Sequence, residues 1–266
     1  MSLKKCFILL FLGASFVAST SALANNAYYE LAIKAYRDKN INEAEIHLKN
    51  ALKENPNNLA AKLLLADVYI DKDAPHLAEE ALMSALNANA DINLVIETLA
   101  KSLLLQGKYQ EVIDLSIGRE LNTRSEQRYF LIKAQAYLAQ NFSDEARHLY
   151  TSILESSPNH VDASLGLINI MINDNQLAQA KAALEKVNGQ KQARYWILKG
   201  RINNEEGDHQ AAITNFEKAL SLSAENVSAL KHLANIYVSL KNYNEANRTV
   251  DKILKIYPRE PYAMYL

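Results

Sequence analysis

Small residues return along the chain at a fixed interval among longer apolar stretches. In a frame that starts at Asn25 and steps by 34 residues, Ala32, Ala66, Ala100, Ala134 and Ile168 fall at position 8, and Ala44, Ala78, Val112, Ala146 and Ala180 at position 20. After a shift of two residues the frame resumes at Ala193, with Gly200 and Ala234 at position 8 and Ala212 and Ala246 at position 20. A bulky residue holds position 24 at Leu48, Leu82, Tyr150, Leu184, Phe216 and Val250, and proline holds position 32 at Pro56, Pro158 and Pro258. Such a period predicts repeated units that bury their apolar faces by stacking on one another. Each unit reads as two antiparallel helices, A and B, whose backbones come closest at positions 8 and 20. A larger side chain there would force the helices apart. Tyr69, Tyr137 and Tyr237 at position 11 fill the space that the alanines open. Proline at position 32 ends helix B, because it has no N–H to give and disfavours a helical residue before it.

Small residues at 8 and 20, a bulky one at 24 and proline at 32 in a 34-residue unit resemble the tetratricopeptide signature. The predicted fold is all-α, a right-handed α-solenoid of about seven tetratricopeptide (TPR) helix-turn-helix repeats. The frame places them at 25–58, 59–92, 93–126, 127–160, 161–192, 193–226 and 227–260, and residues 261–266 start an incomplete eighth. Unit three departs from the pattern, with Ser116 and Arg119 at positions 24 and 27, so a short or displaced helix B is expected. Unit five is two residues short around EKVNGQKQ, which predicts a tight turn at Gly189. Tyr262, Met264, Tyr265 and Leu266 would lack a partner helix, so a continuation of the array or a partner protein is expected at that edge.

The first residues are not part of the array. Lys4 and Lys5 precede an apolar run from Cys6 to about Val17, and Ala22-Leu23-Ala24 follows. This is the order of a secretory signal peptide, residues 1–24, cleaved after Ala24. The apolar run is short for a spanning helix, so no transmembrane helix is expected in the mature chain. Cys6 opens the run instead of following it and cannot be the lipidated first residue of a lipoprotein. The expectation is an exported, periplasmic protein. Removing the segment takes away the single cysteine, excluding disulfides and thiolate chemistry, and moves the net charge from −1 to −3. A pI near 6.6 without a long basic run gives no electrostatic basis for nucleic-acid binding. Seven glycines and five prolines are few for a hairpin-rich β fold.

No constellation for chemistry appears. The histidines at 47, 76, 148, 160, 209 and 232 form no HxxxH or HExxH pair. There is no glycine-rich phosphate loop and no GxSxG elbow. The expectation is therefore no enzyme, no cofactor and no metal. What such an array can do is bind along its concave face, lined by helix A positions 2, 5, 9 and 12. The candidate groove comprises Tyr29, Ile33, Tyr36, Leu63, Ile70, Lys101, Leu104, Arg128 and Leu131 in the first four units. Asn169, Arg201, Asn204, Lys231 and Asn235 continue it in units five to seven. Asp67 and Glu97 occupy the same register. The first half is more apolar and aromatic, the second more basic and amide-rich. This suits an extended or helical partner segment, although the apolar positions could instead pack between neighbouring helices. Lys231 and Asn235 match two elements of a peptide-carboxylate clamp, but Leu266 stands where that clamp needs asparagine.

Four segments carry a more particular resemblance: AEIHLKNALKENPNNLAAKLLLADVYI, LLLQGKYQEVIDL, LKGRINNEEGDHQAAITNFEKAL and ANRTVDKILKIYPREPYAMYL. They resemble the N-terminal part of the TPR-repeat protein of the PEP-CTERM/exosortase system. That resemblance implies a non-enzymatic exported scaffold for envelope proteins or their segments, acting in protein sorting or exopolysaccharide assembly. Two alternatives stay open: a scaffold for pilus or outer-membrane secretion assembly, and a recognition arm of a larger envelope polysaccharide enzyme.

Overall fold

The computed structural model describes residues 27–115 and 120–258. The signal segment, Ser116, Arg119 and Tyr262 to Leu266 lie outside the described residues. Every regular element among the described residues is an α-helix. Helices of the A type are α1 (residues 27–37), α3 (Leu59–Asp71), α5 (Ile92–Leu105), α7 (Thr123–Ala139), α9 (Val161–Asn173), α11 (Ala193–Glu205) and α13 (Val227–Ser239). The B-type helices between and after them are α2 (Ile41–Glu54), α4 (Pro75–Asn87), α6 (Tyr109–Asp114), α8 (Ser143–Ser156), α10 (Leu177–Glu185), α12 (His209–Leu222) and α14 (Tyr243–Ile256). They fall into two compact units, one ending at Asn141 and the other beginning at Phe142.

The alanines sit at the helix crossings. In the first unit Ala32, Ala66, Ala100 and Ala134 at position 8, and Ala44 and Ala78 at position 20, have no exposed surface. In the second unit the same holds for Ala146, Ala180, Ala212 and Ala234. The bulky partners Leu48, Leu82, Tyr150, Leu184 and Phe216 are buried to within a few per cent. Position 8 of the fifth repeat is Ile168, and there a glycine two residues earlier makes room: the ring of Tyr150 lies where a Cβ on Gly166 would be. At Gly200 an added Cβ would come within 2.8 Å of the Phe216 ring.

Helix ends follow local chemistry. Pro56, Pro158 and Pro258 each lie two residues past the end of a B helix. Side-chain oxygens of Asn58, Asp91, Asn122 and Asn226 accept hydrogen bonds from backbone N–H groups in the first turns of α3, α5, α7 and α13. A left-handed residue follows every A helix at position 15: Lys39, Asp73, Gly107, Asn141, Asn175, Gly207 and Lys241. This conformation ends the helix and turns the chain into the next one. The B helix of the third repeat, α6, has six residues and ends at Asp114, with Leu115 following it. Helix α10 has nine, and the turn after it carries a buried Gly189 whose carbonyl accepts from Gln192 N–H at 2.8 Å.

A polar ladder ties four of the B helices, α2, α4, α8 and α10, to the end of the next A helix, from position 21 to position 14. Glu45 pairs with Lys72 and Glu79 with Gln106, whose neighbour Lys108 also reaches Glu79, at 2.8 Å. In the second unit the same positions hold Arg147 with Asp174, and Lys181 with Glu206 at 2.8 Å. The acid is on helix B in the first unit and the base is on helix B in the second. Pairs of this exposure contribute little net energy, but a sign-specific ladder disfavours stacking in the wrong register.

Two glycines separate the packing constraint from the backbone constraint. Gly166→Ala should overpack against Tyr150 and cost about 1–3 kcal/mol, partly recovered in Gly166→Ala/Tyr150→Leu but not in Gly166→Ala/Tyr150→Phe, because the clashing Cζ, Cε1 and Cε2 atoms remain in phenylalanine. Gly207, at φ +83 with open space around its Cα, should cost about 1–2 kcal/mol on change to Ala through backbone strain alone. In that case no ring substitution recovers the loss. Urea unfolding of the variants measures both.

Candidate partner-binding cleft

In the first unit four A helices stand side by side. Period-34 spacing therefore brings residues about one repeat apart into contact on their common face. They enclose a cleft of ≈ 390 Å³ lined by Tyr36 of α1, Asp67, Ile70 and Asp71 of α3, Leu94, Glu97, Thr98 and Lys101 of α5, and Arg128 of α7. The Tyr36 hydroxyl donates to Asp71 Oδ2 at 2.8 Å, the Thr98 hydroxyl donates to Asp67 Oδ1 at 3.2 Å, and Arg128 pairs with Glu97.

The electrostatics follow from this arrangement. Burial raises the pKa of Asp67; the Thr98 hydrogen bond opposes the rise, Asp71 and Glu97 add to it, and Lys101 counters it. Burial pushes the Tyr36 phenol up to about 12, helped by its hydrogen bond to Asp71 and by the charges of Asp71 and Asp67. Three carboxylates and two cations face one another, and one cation is already committed to Glu97.

Of the groove residues expected from sequence, Tyr36, Ile70, Lys101 and Arg128 meet in this cleft. Tyr29, Leu63 and Leu104 are half-buried and pack against the core of the unit, and Ile33 and Leu131 are half-buried as well. Asp71 and Thr98 were missed. They lie at positions 13 and 6, off the four-position stripe, and face the cleft because they pair with side chains of a neighbouring repeat. Leu94 is at position 2 and was legible from the frame.

In the second unit Arg201 is anchored by neutral groups, donating to Asn169 Oδ1 and to Asn173 Oδ1, the latter at 2.7 Å. Asn204 contacts His209 Nδ1 at 3.0 Å. Lys231 is half-buried and Asn235 exposed, both on α13. Beside Lys231, His232 stacks on Phe216 with ring centroids 5.0 Å apart and 9° between planes. Burial, and then the charge of Arg201, lower its pKa from 6.5 to about 4. Among the described residues no group of three or more His, Cys, Asp or Glu is placed to hold a metal ion. No helix there is long and apolar enough to cross a membrane.

A tetratricopeptide repeat profile matches residues 35–101, 137–202 and 204–266, and the chain belongs to the tetratricopeptide repeat family. It is 25% identical over 195 residues to cellulose synthase operon protein C of Pseudomonas fluorescens (strain SBW25), an alignment that covers 70% of this chain and 15% of that protein. The chain thus spans about one seventh of the length of that relative. Among solved structures it is similar to a tetratricopeptide repeat protein from Parabacteroides merdae ATCC 43184, with TM-score 0.72, 14% identity, and coverage of 91% of this chain and 97% of that one. It is also similar to PilF of Pseudomonas aeruginosa, with TM-score 0.60, 20% identity, and coverage of 81% and 99%. At these identities the two structures establish the shared α-solenoid fold.

The depressed His232 pKa fixes the sign of one pH effect. The unfolded chain takes up a proton near pH 6.5 and the folded chain only near pH 4. The contribution is therefore complete above about pH 6.5 and lost as the pH falls to about 4. His232→Gln should flatten the decline of the melting temperature across that window, and parallel profiles for the two proteins would contradict it.

Proposed function

We propose that this protein is a non-enzymatic scaffold that holds a segment of a partner protein on the face of its A helices. The observation that carries this reading is the ≈ 390 Å³ cleft, which brings Tyr36, Ile70, Lys101 and Arg128 together with three carboxylates on rigid helices. Aromatic and arginine side chains around an open recess are the residue types that anchor binding interfaces.

For the setting, the reading is an exported scaffold in envelope protein sorting or exopolysaccharide assembly. It is supported by the n-region, apolar run and Ala22-Leu23-Ala24 order of the first residues, by the resemblance to the PEP-CTERM/exosortase repeat protein, and by sequence similarity to a protein named for a cellulose synthase operon. The likeness to PilF rests on fold alone, so it gives the pilus alternative less weight. A second reading, a recognition arm within a larger envelope polysaccharide assembly, draws on the small share of that relative's length that aligns.

A photoreactive residue at Lys101, exposed in the cleft, and another at Met83, exposed on α4, test the reading in native envelopes. One discrete protein adduct from the first site and none from the second is the expected result. No adduct at Lys101, or equal adducts at both, would reject the cleft as the partner site.

A further inference from the structure

The cleft has a charge imbalance that points to the chemistry of its occupant. Asp67 and Asp71 are each held by a neutral hydroxyl, from Thr98 and Tyr36, and among the described residues neither makes an ion pair with a lysine or arginine. Glu97 differs, because its charge is met by Arg128. Lys101 lies exposed at the rim, close enough to act on Asp67 through space without bonding to it. A half-buried carboxylate next to a second one costs free energy unless a positive group joins them. The fold leaves open volume there instead of a paired side chain. Ile70 and the exposed Leu94 flank that space with apolar surface, and the Tyr36 ring stands at its edge.

We propose that this cleft receives an arginine or lysine side chain of a partner segment, its cationic head between Asp67 and Asp71 and its neighbouring apolar residues against Ile70 and Leu94. This rests on the partner-binding reading above and specifies the partner's chemistry. A metal ion fits less well, since Glu97, the third carboxylate of the cleft, is paired with Arg128 and among the described residues no group of three His, Cys, Asp or Glu is placed to hold one. An anionic segment would meet Asp67 and Asp71, whose combined charge exceeds that of Lys101 at the rim. The flanking apolar surface suits the stem of a long basic side chain and its neighbours, and the tyrosine face adds attraction for a cation. Arg201 in the second unit does not offer a comparable opening: its guanidinium already donates to two amides.

The test uses the whole chain, isotope-labelled and titrated by NMR with two peptides, acetyl-Ala-Leu-Arg-Leu-Ala-amide and the same peptide with glutamine for arginine. A chitosan hexamer serves as a cation of a different polymer class. The arginine peptide should shift the signals of Tyr36, Asp67, Asp71 and Thr98 and bind at least about tenfold more tightly than the glutamine peptide. Asp67→Asn/Asp71→Asn should abolish the difference with no fall in melting temperature, and Arg201→Gln should preserve it. Equal binding of both peptides in the cleft would overturn the cationic requirement and leave the partner groove standing. Shifts with chitosan alone would overturn the choice of a protein segment. Silence with both peptides would overturn the proposal, and an empty crosslink at Lys101 besides would take the groove reading with it.

Discussion

Close approach of helix backbones at small residues is the constraint on which the rest of this structure depends. Ala44, Ala66, Ala78, Ala146 and Ala212 have no exposed surface, and each removes the side-chain volume that would otherwise hold two helices apart. Dispersion across such tight crossings is collectively large because many atoms are brought into contact at once. Where the small residue is displaced, as around Ile168, a glycine at a nearby position restores the space. The requirement is for local volume, and the residue number that supplies it can move.

Once the crossings are set, the helices that follow are placed at equivalent heights in successive repeats, and function becomes a matter of which polar groups occupy equivalent positions. On the helix B side this gives the position 21 to position 14 ladder, with its charges exchanged between the two units. On the helix A side of the first unit it gives a cleft in which Tyr36, Asp67, Asp71, Glu97 and Arg128 meet although they are scattered over more than 90 residues. A binding scaffold needs no more than this: rigid elements, an open recess and charges held in fixed positions.

The fold was legible from the alanines, the position 24 residues and the prolines, because those positions answer to steric rules that act within one repeat. Two short helices fall in the two irregular repeats: α6 has six residues in the third and α10 nine in the fifth. The cleft was legible in part. Tyr36, Ile70, Lys101 and Arg128 follow from the stripe, whereas Asp71 and Thr98 face it through hydrogen bonds to the adjacent repeat, which a per-repeat frame does not contain. The left-handed residues at position 15 include Lys39 and Lys241, residue types that give no local signal of that conformation; only alignment with Gly107 and Gly207 would have shown it. Gly166 was hidden for a related reason, since its partner Tyr150 belongs to another repeat.

The most direct measurement of the central constraint is equilibrium unfolding of Ala44→Leu and Ala212→Leu beside Lys101→Ala, a change on the exposed rim of the cleft. The account predicts a loss of about 1–3 kcal/mol for each leucine variant and a midpoint for Lys101→Ala close to that of the unaltered protein. Equal effects in all three, or leucine variants as stable as the parent, would contradict it.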